Sequence, residues 1–122
     1  MRAPLALLPL AAALVAVGAA TAAPAATPKL FGVVGINDAF KITLKDAKGK
    51  NVKSLKSGFY NLQVTDGSAI HNFQIEGPGL DKRVTAVSFT GKKTVRIHLR
   101  KGKYKFYCMP HESSMFGFFN VT

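Results

Sequence analysis

The chain has 122 residues, enough for one domain, and its 17 Lys and Arg against 6 Asp and Glu give a formal charge of +11. A single cysteine excludes an internal disulfide. The basic excess favours anionic surfaces and acidic proteins as partners, whereas nucleic acid is set aside because the chain opens like an exported protein and carries no nucleic-acid motif.

Met1-Arg2 precedes an uncharged run from Ala3 to Pro28, whose apolar core extends from Leu5 to Val17 and is interrupted by Pro9. Small residues at Ala20 and Ala22 place a signal cleavage after Ala22, or as late as Ala25. An uncleaved anchor is the competing reading, since the run is long enough to span a bilayer. Its Ala-rich composition and Pro4, Pro9, Pro24 and Pro28 favour cleavage. The expected organisation is a signal peptide over 1–22, a short linker over 23–29 and one domain over 30–122. The exported domain would reach a periplasm, a cell surface or the extracellular space, as a monomer with no membrane span.

Beyond the linker, short alternating runs are separated by Gly, Asn, Asp and Pro, the pattern of an all-β chain. Leu30 to Ile36 opens the set. Phe40, Ile42 and Leu44 alternate with polar residues and share a predicted face. Asp46 to Lys50 is a turn. Tyr60, Leu62 and Val64 alternate next, then Ala69 to Ile75 forms a run closed by Gly77-Pro78-Gly79. Val95, Ile97 and Leu99 alternate with Thr94, Arg96 and His98. Gly102 to Cys108 and Phe116 to Val121 complete about eight strands, enough for an antiparallel sandwich or barrel.

Register points two unusual side chains inward. Alternate residues of a strand share a face, so Tyr104, Phe106 and Cys108 lie opposite Lys103, Lys105 and Tyr107. The lysine face needs water, which turns Cys108 to the core. In the same way His71 shares a face with Phe73 and Ile75. His98 falls on the outer face with Thr94 and Arg96 and is excluded as a ligand.

Cys108, His111 and Met115 stand within eight residues, in Cys108-Met109-Pro110-His111-Glu112-Ser113-Ser114-Met115. Pro110 turns the chain after the strand. With His71 these residues offer one thiolate, two imidazoles and one thioether, the ligand set of a blue-copper electron-transfer site. An unpaired cysteine in an exported protein also needs protection from oxidation, and burial beneath a metal provides it. Asn72 has two readings: an outward polar residue, or a group that hydrogen-bonds across to the Cys108 loop and holds the ligand segments in register. Met109 reads as a solvent-facing loop residue, with a contact residue or second soft donor as the alternatives.

In His71-Asn72-Phe73, in the strand ending Tyr104-Lys105-Phe106-Tyr107-Cys108, in Cys108-x-Pro110-His111 and in Met115-x-Gly117, the chain resembles cupredoxins of the plastocyanin, pseudoazurin and amicyanin kind. The resemblance covers Leu30 to Thr122. It implies a Greek-key β-sandwich holding one mononuclear type 1 copper per chain. It implies His71, Cys108 and His111 as equatorial ligands and Met115 as a weak axial ligand. The three residues between His111 and Met115 make a loop intermediate in length between those of plastocyanins and amicyanins.

The implied function is one-electron transfer through the edge of His111 to redox partners with acidic surfaces. A copper-binding or delivery protein using the same ligands is the alternative, and a metal-free interaction domain is a third reading. Thiol catalysis is not expected, because a strand-end Cys facing the core is poorly exposed as a nucleophile. A four-ligand copper likewise leaves no open position for substrate.

Overall fold

A computed structural model describes residues 1–19 and 25–122. The expected cut after Ala22 lies outside these residues. Residues 1–19 contain no helix or strand and are exposed throughout. Among the described residues no helix is long and apolar enough to cross a membrane.

Nine strands form the domain: β1 (Lys29–Val34), β2 (Ile42–Asp46), β3 (Ser54–Leu55), β4 (Gly58–Asp66), β5 (Gln74–Gly77), β6 (Leu80–Arg83), β7 (Gly91–Leu99), β8 (Gly102–Tyr107) and β9 (Phe116–Val121). They build a four-stranded sheet in the order β2-β1-β4-β7 and a five-stranded sheet in the order β3-β9-β8-β5-β6. Most neighbours are antiparallel, but β1 with β4 and β3 with β9 run parallel, so both sheets are mixed. Among the described residues two short 3-10 turns, Ile36–Asp38 and Met109–His111, interrupt the β structure.

The seven runs named in the sequence each correspond to a strand, and two strands that carry no alternating signal bring the number to nine, against about eight expected. β3 has two residues. β6 reads Leu-Asp-Lys-Arg, three of them charged, which suits a short exposed edge strand and conceals it in the sequence. Two further expectations are corrected. His71 lies in the loop between β4 and β5, not in a strand, because the chain pairs only from Gln74 onward. Phe40 precedes β2 and is 61% exposed, whereas Leu44 two turns of alternation later is in the core.

Between the sheets, alternate residues pack as Leu30 and Val34 from β1, Tyr60, Leu62 and Val64 from β4, Ile97 and Leu99 from β7, and Tyr104 and Phe106 from β8. Phe73 stacks on Phe106 at 5.9 Å and Tyr104 on Phe119 at 5.4 Å. Complete burial of a side chain such as Phe73 or Phe119 contributes about 1.5–3 kcal/mol. The Tyr104 hydroxyl donates to the Pro78 carbonyl at 2.6 Å and accepts the Arg100 N–H at 2.9 Å, so this buried polar group is satisfied. Gly117 pairs with Phe106, and any Cβ there would strike the Phe106 ring. Among the described residues every buried one lies between Leu30 and Val121, so the chain from Ala25 onward keeps this core.

Candidate metal centre

β8 delivers Cys108 to one end of the sandwich, just past its last paired residue, with the side chain fully buried. The chain then knots back on itself. His111 N–H donates to the Cys108 carbonyl at 3.1 Å, and Met115 N–H donates to the His111 carbonyl at 2.8 Å. Cys108 N–H donates to the Met115 carbonyl at 2.9 Å, which closes the loop before β9 begins. Met115 is 1% exposed. The short spacing Cys108-x-x-His111-x-x-x-Met115 is therefore a hydrogen-bonded unit and not a flexible connection.

His71 reaches the same point from the loop between β4 and β5, the strand that pairs with β8. Its Nδ1 lies 3.0 Å from Nδ1 of His111 and 3.7 Å from Sγ of Cys108. Sγ lies 3.6 Å from His111 Nδ1. Among the described residues, these three side chains form the one His, Cys and acidic group whose donor atoms all fall within 4.8 Å of one another. His71 and Cys108 are fully buried and His111 is half-buried. Three basic or soft donor atoms converging in dry space require a proton or a cation between them. Their mutual separations of 3.0, 3.6 and 3.7 Å would let all three hold one ion. Imidazoles with a thiolate match copper better than a hard cation, which takes oxygen donors.

The surrounding groups set the orientation of these donors. Nε2 of His71 donates to the Asp38 carbonyl at 3.4 Å, which leaves the Nδ1 lone pair facing the centre. Asn72, fully buried, acts through both backbone and side chain. Its N–H donates to Cys108 Sγ at 3.4 Å, and its Oδ1 accepts the Met109 N–H at 2.7 Å. Of the two readings of Asn72, the geometry supports the cross-link to the Cys108 loop. Phe73, next in line, is anchored by its N–H to Thr85 Oγ1 at 2.9 Å.

Phe40 covers the centre. Its ring stands edge-on to His71 at 4.7 Å and to His111 at 4.8 Å. Strand alternation puts Phe40 on one face with Ile42 and Leu44 and gives no sign of this role. A hint was available in Gly35-Ile36-Asn37-Asp38, since Gly, Asn and Asp tolerate left-handed backbone. The loop uses it at Gly35 (φ 66°), Asn37 (φ 55°) and Asp38 (φ 59°). Gly35 also sits against the site: a Cβ there would lie 2.7 Å from Ser68 Cβ and 2.9 Å from His71 Cδ2.

Nearby charges are sparse. Asp66, 2% exposed, ends β4, and its Oδ1 accepts the Ser68 N–H at 3.1 Å while Oδ2 has no partner. Burial pushes its carboxyl above the usual range, and the nearness of the Thr85 side chain, the Ser68 N–H bond and the proximity of His71 oppose that shift. Met109 is 41% exposed, and its thioether accepts from Arg83 Nη2 at 3.4 Å. His98 lies away from the centre, stacked on Phe59 at 4.4 Å.

No family model matches the sequence, and no curated protein does. The fold does match solved structures. Reduced rusticyanin, a cupredoxin, superposes with TM-score 0.55 at 19% identity, over 77% of this chain and 78% of that one. A single-residue mutant of rusticyanin gives TM-score 0.54 at 18% identity, over 77% and 76%. Amicyanin from Paracoccus versutus matches more loosely, with TM-score 0.42 at 13% identity, over 75% and 79%. The rusticyanin superpositions identify the fold.

Proposed function

We propose that this chain, which has the cupredoxin fold, is an exported type 1 copper protein that carries single electrons. The supporting observation is the convergence of His71 Nδ1, His111 Nδ1 and Cys108 Sγ on one point of the sandwich. His71, Cys108 and His111 would hold the metal, with the buried Met115 as a fourth, weaker donor. Bound copper would supply one-electron exchange between Cu(II) and Cu(I).

The protein's part is to keep the donors still. Asn72 and Asp38 orient Cys108 and His71 from outside the donor set, so little rearrangement accompanies a change of charge at the centre. The Asn72 N–H aimed at Sγ and the thioether of Met115 are the groups that would tune the potential. His111 is the donor residue nearest solvent, and the exposed apolar side chains of Phe40, Ile70 and Met109 are adjacent to site residues. Electrons would leave through this end during brief encounters, with the basic surface attracting acidic partners. Burial of His71 and Cys108 and the cover by Phe40 favour a carrier over a delivery protein, which needs an exchangeable ion.

Titrating the exported domain with Cu(II) under absorption and electron paramagnetic resonance tests the reading. The expected result is an intense visible thiolate band with small copper hyperfine splitting, saturating at one copper per chain. Cys108→Ser should lose that band with an unchanged far-ultraviolet circular dichroism spectrum. Pale, loosely held copper would overturn the proposal.

A further inference from the structure

The outer face of the β2-β1-β4-β7 sheet has a charge pattern that the metal centre does not use. Register places Lys29, Asn61 and Arg96 in one cross-strand row. Lys45, Phe31, Gln63 and Thr94 form the next outward row, and Thr43, Val33, Thr65 and Lys92 the one after. None of these positions is acidic. None of the six carboxylates is in these outward rows: Asp38 is in the loop over the metal centre, and Asp46 and Asp66, at the ends of β2 and β4, are in register with the inward-facing Leu30 and Val34. Asp46 accepts N–H bonds from its own turn, Glu76 and Asp81 are on the other sheet, and Glu112 pairs with Lys105. That pair is the one ion pair among the described residues, so the cations of this face have no carboxylate partner.

The layout decides what these cations fit. Four positive groups spread over about 13 Å along the strands and about 14 Å across them. That spacing is too wide to chelate one small anion and suits an extended array of phosphates. At the metal-centre edge of the face, Lys41 and Lys45 flank a groove of about 290 Å³ floored by Val33, Ile36 and Ala39, with Thr43 on its wall. Cations at the rim over an apolar floor match a lipid headgroup with the first carbons below it.

We propose that this sheet face docks on an anionic phospholipid bilayer, with the Lys41–Lys45 groove seating one headgroup. The strands then lie along the membrane, and the end carrying His111 projects sideways, free to meet a partner at the same surface. The proposal is independent of whether copper is bound.

The experiment is sedimentation of the chain from Ala25 with vesicles of phosphatidylcholine, with and without phosphatidylglycerol, at low and high salt. Binding is expected only to the phosphatidylglycerol vesicles and should weaken as salt rises. The triple variant Lys45→Gln, Lys92→Gln, Arg96→Gln should bind about 100-fold more weakly. A second triple variant, Lys53→Gln, Lys56→Gln, Lys101→Gln, removes the same charge elsewhere and should bind several-fold more tightly than the first. Lys41→Gln with Ile36→Ser tests the groove and should also weaken binding. Circular dichroism establishes that each variant is folded. Equal losses in the two triple variants, equal binding to neutral vesicles, or no binding to phosphatidylglycerol would each overturn the proposal. Capture by polyglutamate through these lysines without vesicle binding would overturn it in favour of an acidic protein partner.

Discussion

Asn72 Oδ1 accepts the backbone N–H of Met109 at 2.7 Å, tying the loop that carries His71 to the loop that carries Cys108 and His111. The two loops are far apart in sequence, and this buried bond, with the Asn72 N–H donating to Cys108 Sγ, holds them in register. Asn72→Ala removes the acceptor and leaves a part-buried N–H unsatisfied. It should cost about 1–3 kcal/mol of stability in the metal-free protein. Thermal unfolding measures this, and a melting temperature equal to that of the parent chain would show that the bond does not hold the loops.

Gly35 is required by its neighbours as well as by its backbone. Gly35→Ala forces a Cβ toward Ser68 and His71 at φ 66°. The expected outcome is destabilisation by at least about 1 kcal/mol together with weaker copper binding, because His71 must move. A variant with parental melting temperature and parental copper affinity would count against this contact.

Met115 is fully enclosed, so Met115→Leu conserves volume and should fold normally, at a cost under about 1.5 kcal/mol. On the proposed donor set, copper should remain bound while its reduction potential shifts, since only a weak thioether donor would be lost. Voltammetry and the visible spectrum report the effect. An unchanged spectrum and potential would remove Met115 from the donor set.

Asp66 makes stability depend on pH in a stated direction. Its folded carboxyl titrates above the unfolded value of 3.8, chiefly through burial. The folded state therefore binds the proton more tightly, and the associated stability is present below the unfolded value and is lost as pH rises through the folded one. Asp66→Asn keeps an acceptor for the Ser68 N–H and removes the charge. It should gain on the parent chain as pH rises from acid to neutral. Melting curves that run parallel across that range would refute the assignment.

Phe40 should matter to the centre more than to the fold, because it is 61% exposed yet touches both imidazoles. Phe40→Ala is expected to cost less than about 1.5 kcal/mol and to accelerate removal of copper by a chelator several-fold. An unchanged removal rate would show that the ring is not a cover.

Legibility in the sequence followed how local each feature is. Strands with clean alternation, such as those bearing Leu62, Ile97 and Tyr104, were readable because the two-residue period of extended backbone imposes the inside and outside of each run. The same logic failed at Phe40, where the strand begins two residues later, and at β6, whose charged residues hide a paired edge. It placed His71 inward correctly but in a strand that does not extend so far.

The sequence by itself determined the donor types, the tight Cys108-x-x-His111-x-x-x-Met115 loop and the inward turn of Cys108. Bond geometry within a few residues leaves few ways to arrange such a segment. Only the tertiary structure decided that His71 comes within 3.7 Å of Cys108 Sγ, that the Asp38 carbonyl orients it, and that Phe40 covers the pair. Those relations depend on how two twisted sheets pack and where their end loops meet, which is set by the whole core at once and by no local period.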